Sequence, residues 1–391
     1  LFKLFEKINI LMKLIYKYKL IIILILGLIS SISTTKAFLD AQNLSFDFHF
    51  SPTKLVAEGI NHYQYILDGK HDHGPDDKLM YDQNGNYAQG LFIILIPFTW
   101  LGWEDAKLVW SIINIALALI IPLVLCKKFK LDNFKTFLVL SIFLSSTIFR
   151  IHIGYGQHTL ILLIFLILPF LNKKFFSIAL SGIVYFKYNI GYGLFLYFLS
   201  LKRFKYIFLS SFPLIFGWLS YCYITNTNLL TNILEPLRVI MYWNSEANHF
   251  PVTVFNLINY LKINSLITLA IPILVNFYFI LKIKNIEDDL KKLSLLCLSI
   301  LCFTPHQLHD YVLLIPLLVY SLKHYQYLIS LINLILIFYF FYFLRLLSFI
   351  FNFQPWDFPY GYLGYMNNLI LISIFILNVF LINNNKKIKI F

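Results

Sequence analysis

The sequence predicts an all-α polytopic membrane protein, and three observations predict it. Of its 391 residues 59% are hydrophobic, only 13% are charged, and the mean hydropathy is +0.73, far from the mix of a soluble domain. Apolar runs such as residues 19–38 approach the ~20 residues that cross a hydrocarbon layer, and they recur along the whole chain. Basic residues fall in short clusters between those runs, as topology signals do, so the net charge of +13 does not point to nucleic acid.

The first apolar run, 19–38, reads as an uncleaved signal anchor, and Met12 followed by Lys13, Lys17 and Lys19 reads as an internal start. Basic clusters then recur at Lys127, Lys128 and Lys130; Lys173 and Lys174; Lys202, Arg203 and Lys205; Lys282, Lys284, Lys291 and Lys292; Lys323; and Lys386, Lys387 and Lys389. With all of them cytoplasmic, the chain leaves and returns between successive clusters. The spans fall near 19–38, 106–126, 134–151, 156–171, 175–186, 188–200, 204–224, 264–281, 291–304, 308–322, 325–347 and 366–382. This makes a single integral membrane domain, 1–391, of about twelve transmembrane helices with both termini inside.

Stretches 91–101 and 252–261 are too short to cross and read as interfacial or re-entrant segments. The long polar loop 40–105 then faces outward, as does every histidine except His324. The pair 175–200 turns outward at its middle; each arm has about 12 residues, short of the ~20 of a full span, so Lys187 lies below the outer surface. A lysine buried there needs an anionic partner.

The polar chemistry gathers in the outward breaks. Asp47 sits among aromatics in LSFDFHFSP (44–52), just past the first span, where a half-apolar setting suits a general base. On residue type alone, a loop aspartate favouring the N-terminus of a short helix beginning near Ser51 is the plainer reading. In RIHIGYGQH (150–158), Arg150, His152 and His158 can donate to phosphate, and Gly154 and Gly156 admit close backbone approach. A tight connection with a snorkelling arginine reads equally well.

TPHQLHDY (304–311) presents His306, His309 and Asp310 at another break, a His-Asp grouping that points to function. Loop 225–248 offers Glu235, Arg238, Tyr242, Trp243 and Asn244, side chains suited to stacking on a sugar or hydrogen bonding to it. DGKHDHGPDD (68–77) has ligand types without calcium or zinc spacing and reads as a solvated turn. Cys126, Cys222, Cys297 and Cys302 lie in or at apolar runs without a CxxC motif and read as packing residues, so no metal or cofactor is expected.

The order of these features resembles glycosyltransferase family 87, membrane enzymes of the GT-C class that take sugar from a polyprenyl-phosphate donor. The resemblance runs from about Asp47 to Tyr320 and rests on an outer-loop aspartate, NYAQG (86–90), Pro97 followed by 106–110, Gly156-Gln157 opening a leucine-rich span, Lys187, and 305–311. Ala88, Gln89 and Tyr188 stand where the family often has proline. The resemblance implies a GT-C-like bundle with Asp47 as catalytic base and an outward-opening pocket in a bacterial inner membrane. The implied reaction is inverting transfer of a hexose such as mannose to a hydroxyl of a lipid or glycan acceptor. Within it Arg150, Lys187 and His309 bind donor phosphate, and His49, Gln157, His158, Arg238, Asn244, His306 and Asp310 contact substrate. A transporter or flippase of polyprenyl-linked sugars is the alternative, with its charges near the bilayer midplane.

The topology is testable by cysteine accessibility. Cysteines at 47, 157, 187, 244 and 309 should be modified from outside, and those at 128, 203 and 284 only from inside. Labelling of positions 128 and 157 from the same side would refute the arrangement.

Overall fold

A computed structural model of the chain describes residues 17–44, 48–70, 87–239, 265–304, 306–324, 331–339, 342, 370, 371, 373 and 376. Among these residues the regular structure is entirely helical. Three helices are long and apolar enough to cross a membrane: α1 (Lys19–Leu44), α5 (Trp103–Lys128) and α11 (Phe204–Ile224). A fourth candidate is the bent pair α6 (Asn133–Leu144) and α7 (Thr147–Gly154), which meet at 57°. Their surfaces are apolar where no other element covers them, as at Leu20, Leu24, Leu28, Phe208, Phe212 and Phe216, which suits a bilayer and not water.

The expected twelve full-length spans do not appear among the described residues; shorter helices interrupted by breaks take their place. Span 156–171 is the 13-residue α8 (Thr159–Leu171), and the expected pair 175–200 is α9 (Phe175–Ser181), a 3-10 turn (Gly182–Phe186) and α10 (Tyr188–Ser200). Lys187 is the extended residue between the last two, at the break expected from the sequence. The pair 291–322 becomes α14 (Asp289–Phe303), a 3-10 segment (Leu308–Leu314) and α15 (Ile315–Lys323). Segment 91–101 is α4 (Gln89–Leu95) followed by a 3-10 turn (Ile96–Trp100), too short to cross, as expected. In loop 40–105 a helix begins at Phe50, next to the expected Ser51, as α2 (Phe50–Ala57), and α3 (His62–Leu67) follows. The described stretch also holds α12 (Leu229–Asn232) and α13 (Ser265–Ile283). Segment 252–261 and most of 325–347 and 366–382 lie outside the described residues.

Local sequence explains the starts of these short helices. Asp132, Ser146 and Asp288 each cap a helix, accepting from Lys135 N at 2.8 Å, Phe149 N at 3.1 Å and Leu290 N at 2.8 Å. Such caps satisfy backbone donors that an apolar setting would otherwise leave unpaired.

The ends of the helices separate two polar regions. At one end Lys284 donates to Ser200 O (3.2 Å), Lys173 lies 3.8 Å from Asp289, and Lys323 lies over the Phe129 ring. These are the loops that the sequence assigns to one side. At the other ends of α8, α10 and α14 the remaining breaks meet around Lys187.

Two glycines hold this second end together. A Cβ on Gly182 would lie 1.7 Å from Ser210 O, and one on Gly217 would lie 2.3 Å from Gly90 Cα, so α11 presses directly on the 3-10 turn before Lys187 and on α4. Ala88 N then donates to Phe186 O at 2.9 Å, tying segment 87–90 to the same turn. Gly217→Ala should therefore destabilise the protein by roughly 1–3 kcal/mol, as overpacking does. Gly27→Ala, whose methyl meets only Phe137 at 3.9 Å, should be tolerated. Thermal unfolding in detergent checks the contrast.

Candidate functional site

Lys187 and Asp310 meet at the centre of the second polar end. Lys187 Nζ lies 2.5 Å from Asp310 Oδ1, and both side chains are almost fully buried. Lys187 is the extended residue before α10, and Asp310 lies buried in the 3-10 segment Leu308–Leu314. Thr159, at the start of α8, donates to the same carboxylate oxygen and receives Lys187 Nζ at 3.3 Å. His306 Nδ1 reaches Asp310 Oδ2 at 2.9 Å, and its Nε2 lies 2.6 Å from Thr304 Oγ1. His309 Nε2 is 3.6 Å from Asp310 Oδ1, and His152 Nδ1 is 3.1 Å from the His309 carbonyl.

The expectation that Lys187 needs an anion is met, and the anion is Asp310. An ion pair in an apolar interior is held by such additional hydrogen bonds, since Coulomb attraction alone does not offset the loss of hydration. Three separate stretches of the chain, 152–159, 187 and 304–310, supply the seven polar side chains, so the pair is also the point where these stretches are joined.

A second, aromatic layer lies against the pair. Lys187 Nζ sits 5.6 Å from the Tyr87 ring centroid, within cation–π range. Tyr87 packs edge-on to His49 (4.7 Å) and tilted to His158 (5.5 Å), and His158 packs on Trp110 (5.1 Å). His158 Nε2 is 3.0 Å from Phe48 O, and Phe48 stacks on Trp110 at 4.8 Å.

Phe48 and His49 both have positive φ, 30° and 65°, although neither is glycine. Each such residue costs on the order of 1–3 kcal/mol and persists only where its surroundings fix it. Here the His158 bond and the Trp110 stack fix it, directly after Asp47.

Asp47 and Asn244 themselves lie outside the described residues. Of the other residues singled out in the sequence, His49, His158, Lys187, His306, His309 and Asp310 come together. Gln157 lies beside them in the chain, half-buried, with its amide 3.4 Å from Tyr155 O. Arg150 is engaged elsewhere: Nη2 lies 3.0 Å from Asp40 Oδ2 and Nη1 lies 3.2 Å from Tyr342 OH. Arg238 is exposed.

Sequence reading missed Thr159 and Thr304, since a threonine at the edge of an apolar run carries no signal of its own. It also passed over Tyr87 as a ring packed on Lys187, though that residue lies in the NYAQG segment. Among the described residues no group of three His, Cys, Asp or Glu side chains could hold a metal ion, and the four cysteines are buried and unpaired.

No protein-family model, curated protein or solved structure matches the chain. The chemistry of the site therefore rests on its own geometry.

Breaking the pair on one side should be far worse than replacing both partners. Lys187→Met or Asp310→Leu alone should cost about 3–5 kcal/mol, because each leaves a buried charge uncompensated, whereas the double variant should recover most of that loss. A double-mutant cycle on thermal unfolding measures the coupling.

Proposed function

We propose that the chain is an integral membrane glycosyltransferase that moves a hexose, such as mannose, from a polyprenyl-phosphate donor to a hydroxyl of a lipid or glycan acceptor. The observation that carries this reading is the strained Phe48-His49 turn, clamped beside a buried lysine and three histidines immediately after a loop carboxylate. Fixing a carboxylate next to a cationic site is what glycosyl transfer to a hydroxyl requires, since the base and the leaving-group stabiliser must act on one sugar.

In the proposed reaction Asp47 takes the proton of the acceptor hydroxyl as its oxygen bonds to the anomeric carbon. The bond from that carbon to the donor phosphate oxygen breaks on the opposite face, and its electron pair leaves with the lipid phosphate. The configuration inverts. Lys187 and His309 are the groups positioned to meet the phosphate, with Asp310 orienting the lysine. Arg150 could serve as well only by exchanging Asp40 for the phosphate. His49, His158, Gln157 and His306 line the sugar side, and no metal is invoked because cationic side chains neutralise a phosphate leaving group directly. Arg238 and Asn244 are assigned to the acceptor side.

Transport of polyprenyl-linked sugar is the second reading, favoured by one observation: the ion pair is buried where three helices break. Depth argues against it. The 13 residues of α10 and of α8 that lead from the basic ends to the ion pair are roughly 20 Å long against a hydrocarbon layer of ~30 Å, so helices running along the membrane normal would put the pair beyond the midplane. A site two-thirds of the way across suits an enzyme open to the outer leaflet of a plasma membrane, with the basic ends in the cytoplasm.

The test is reconstitution with a panel of polyprenyl-phosphate sugars and mass spectrometry of the products. Asp47→Asn should lower turnover by roughly 10²- to 10⁴-fold with donor binding kept. Asp68→Asn is the control: that carboxylate is exposed, and the Gln64 amide, then Lys70, hold its pKa below the ordinary aspartate range, so it stays ionised in solvent. Full activity of Asp47→Asn would remove the catalytic assignment, and sugar moved across sealed vesicles without product would favour transport.

A further inference from the structure

Two buried histidines beside the ion pair have their tautomers fixed by the backbone. His158 Nε2 faces the Phe48 carbonyl at 3.0 Å, and His152 Nδ1 faces the His309 carbonyl at 3.1 Å. A carbonyl oxygen only accepts, so in each ring the nitrogen facing it carries the proton. The other nitrogen of each singly protonated ring, His158 Nδ1 and His152 Nε2, then holds a lone pair. Both are fully shielded from solvent and have no hydrogen-bond partner among the described residues. Buried polar atoms are normally satisfied, and two unmet acceptors of the same kind flanking one site ask for the same kind of donor.

We infer that His158 Nδ1 and His152 Nε2 are paired acceptor positions that receive hydroxyl groups of the sugar carried by the donor lipid. This rests on the glycosyl-transfer reading above and deepens it. It also reverses the polarity of one reading of the sequence, in which both rings can donate to phosphate.

Several features favour a hydroxyl over other donors. An ammonium ligand would meet the Lys187 cation, which lies within 5.6 Å of the same Tyr87 ring that packs on His158. A phosphate oxygen offers no proton to a lone pair, so the anionic part of the donor belongs with Lys187 and His309. A hydroxyl is neutral and donates, and the aromatic ring of Tyr87 beside His158 suits the apolar face of a pyranose. A site that accepts from hydroxyls rejects ligands lacking them, because its own buried groups are then left unpaired.

The substitutions can be made specific to the lone pairs. His158→Gln retains an N–H donor at the Nε2 position toward Phe48 O and removes the Nδ1 acceptor. His152→Asn does the same in mirror image, keeping a donor toward His309 O and removing the Nε2 acceptor. The full-length protein in nanodiscs is titrated with a polyprenyl-phosphate hexose and with bare polyprenyl phosphate.

Wild type should prefer the sugar-bearing lipid, and each variant should lose roughly 5- to 100-fold for that lipid while binding bare polyprenyl phosphate unchanged. Equal affinity of wild type for the two lipids, as water in these positions would give, overturns the inference while leaving phosphate recognition intact. Equal losses for both lipids overturn it as well, since the rings would then be structural. Binding of neither lipid overturns the donor reading itself, and this inference with it. Independently of ligand, ¹⁵N NMR of labelled histidine should show His158 protonated at Nε2 and His152 at Nδ1; the opposite tautomers overturn the assignment even if the variants fail to fold.

Discussion

An apolar interior does not tolerate a lone charge, and the arrangement of this protein follows from how Lys187 and Asp310 answer that constraint. They stand 123 residues apart in sequence and 2.5 Å apart in space. For them to meet, the break between the 3-10 turn and α10 must face the segment after α14, and the start of α8 must approach both so that Thr159 can bond the carboxylate. The helices that converge here are therefore shorter than full spans. A longer α8 or α10 would carry its polar end past the pair and into solvent, leaving the partner charge uncompensated.

This explains which parts of the structure were legible in the sequence. The helical class followed from composition, and the break at Lys187 followed from a lysine placed midway between two basic clusters. The grouping of breaks followed too, since the basic clusters alternate with them along the chain. Pairings across the structure were not legible. Arg150 has the same residue type and surroundings in sequence whether it meets phosphate or Asp40, and only the packing of α7 against α1 brings it to the aspartate. The lengths of the helices were not legible for a related reason: a hydropathy run does not show where a helix bends, and α6 and α7 turn by 57° within the one apolar stretch 134–151.

Glu235 shows the same limit from the other direction. Its loop was read for sugar-binding side chains, yet the carboxylate is buried and spent on structure. Asn61 Nδ2 lies 3.1 and 3.0 Å from its two oxygens, and Asn232 Nδ2 lies 2.5 Å from one of them. A buried carboxylate held by amides needs no cation, because several hydrogen bonds to the ionised group replace its water.

That amide cluster reaches the site through a short path. Gln89 donates to Asn232 Oδ1 and to its carbonyl, both at 2.9 Å, and Ala88, beside it, donates to Phe186 O next to Lys187. Tyr87 precedes both and lies against Lys187, His49 and His158. Loop 225–239, segment 87–90 and the Lys187 break are thus fixed to one another by hydrogen bonds, on a base set by the Gly90–Gly217 contact. Only a surround tied down on several sides can hold Phe48 and His49 in left-handed conformations that would otherwise relax. The strain in that turn and the stiffness around it are one feature seen from two sides: Phe48 and His49 keep left-handed conformations because what packs on them is itself tied down.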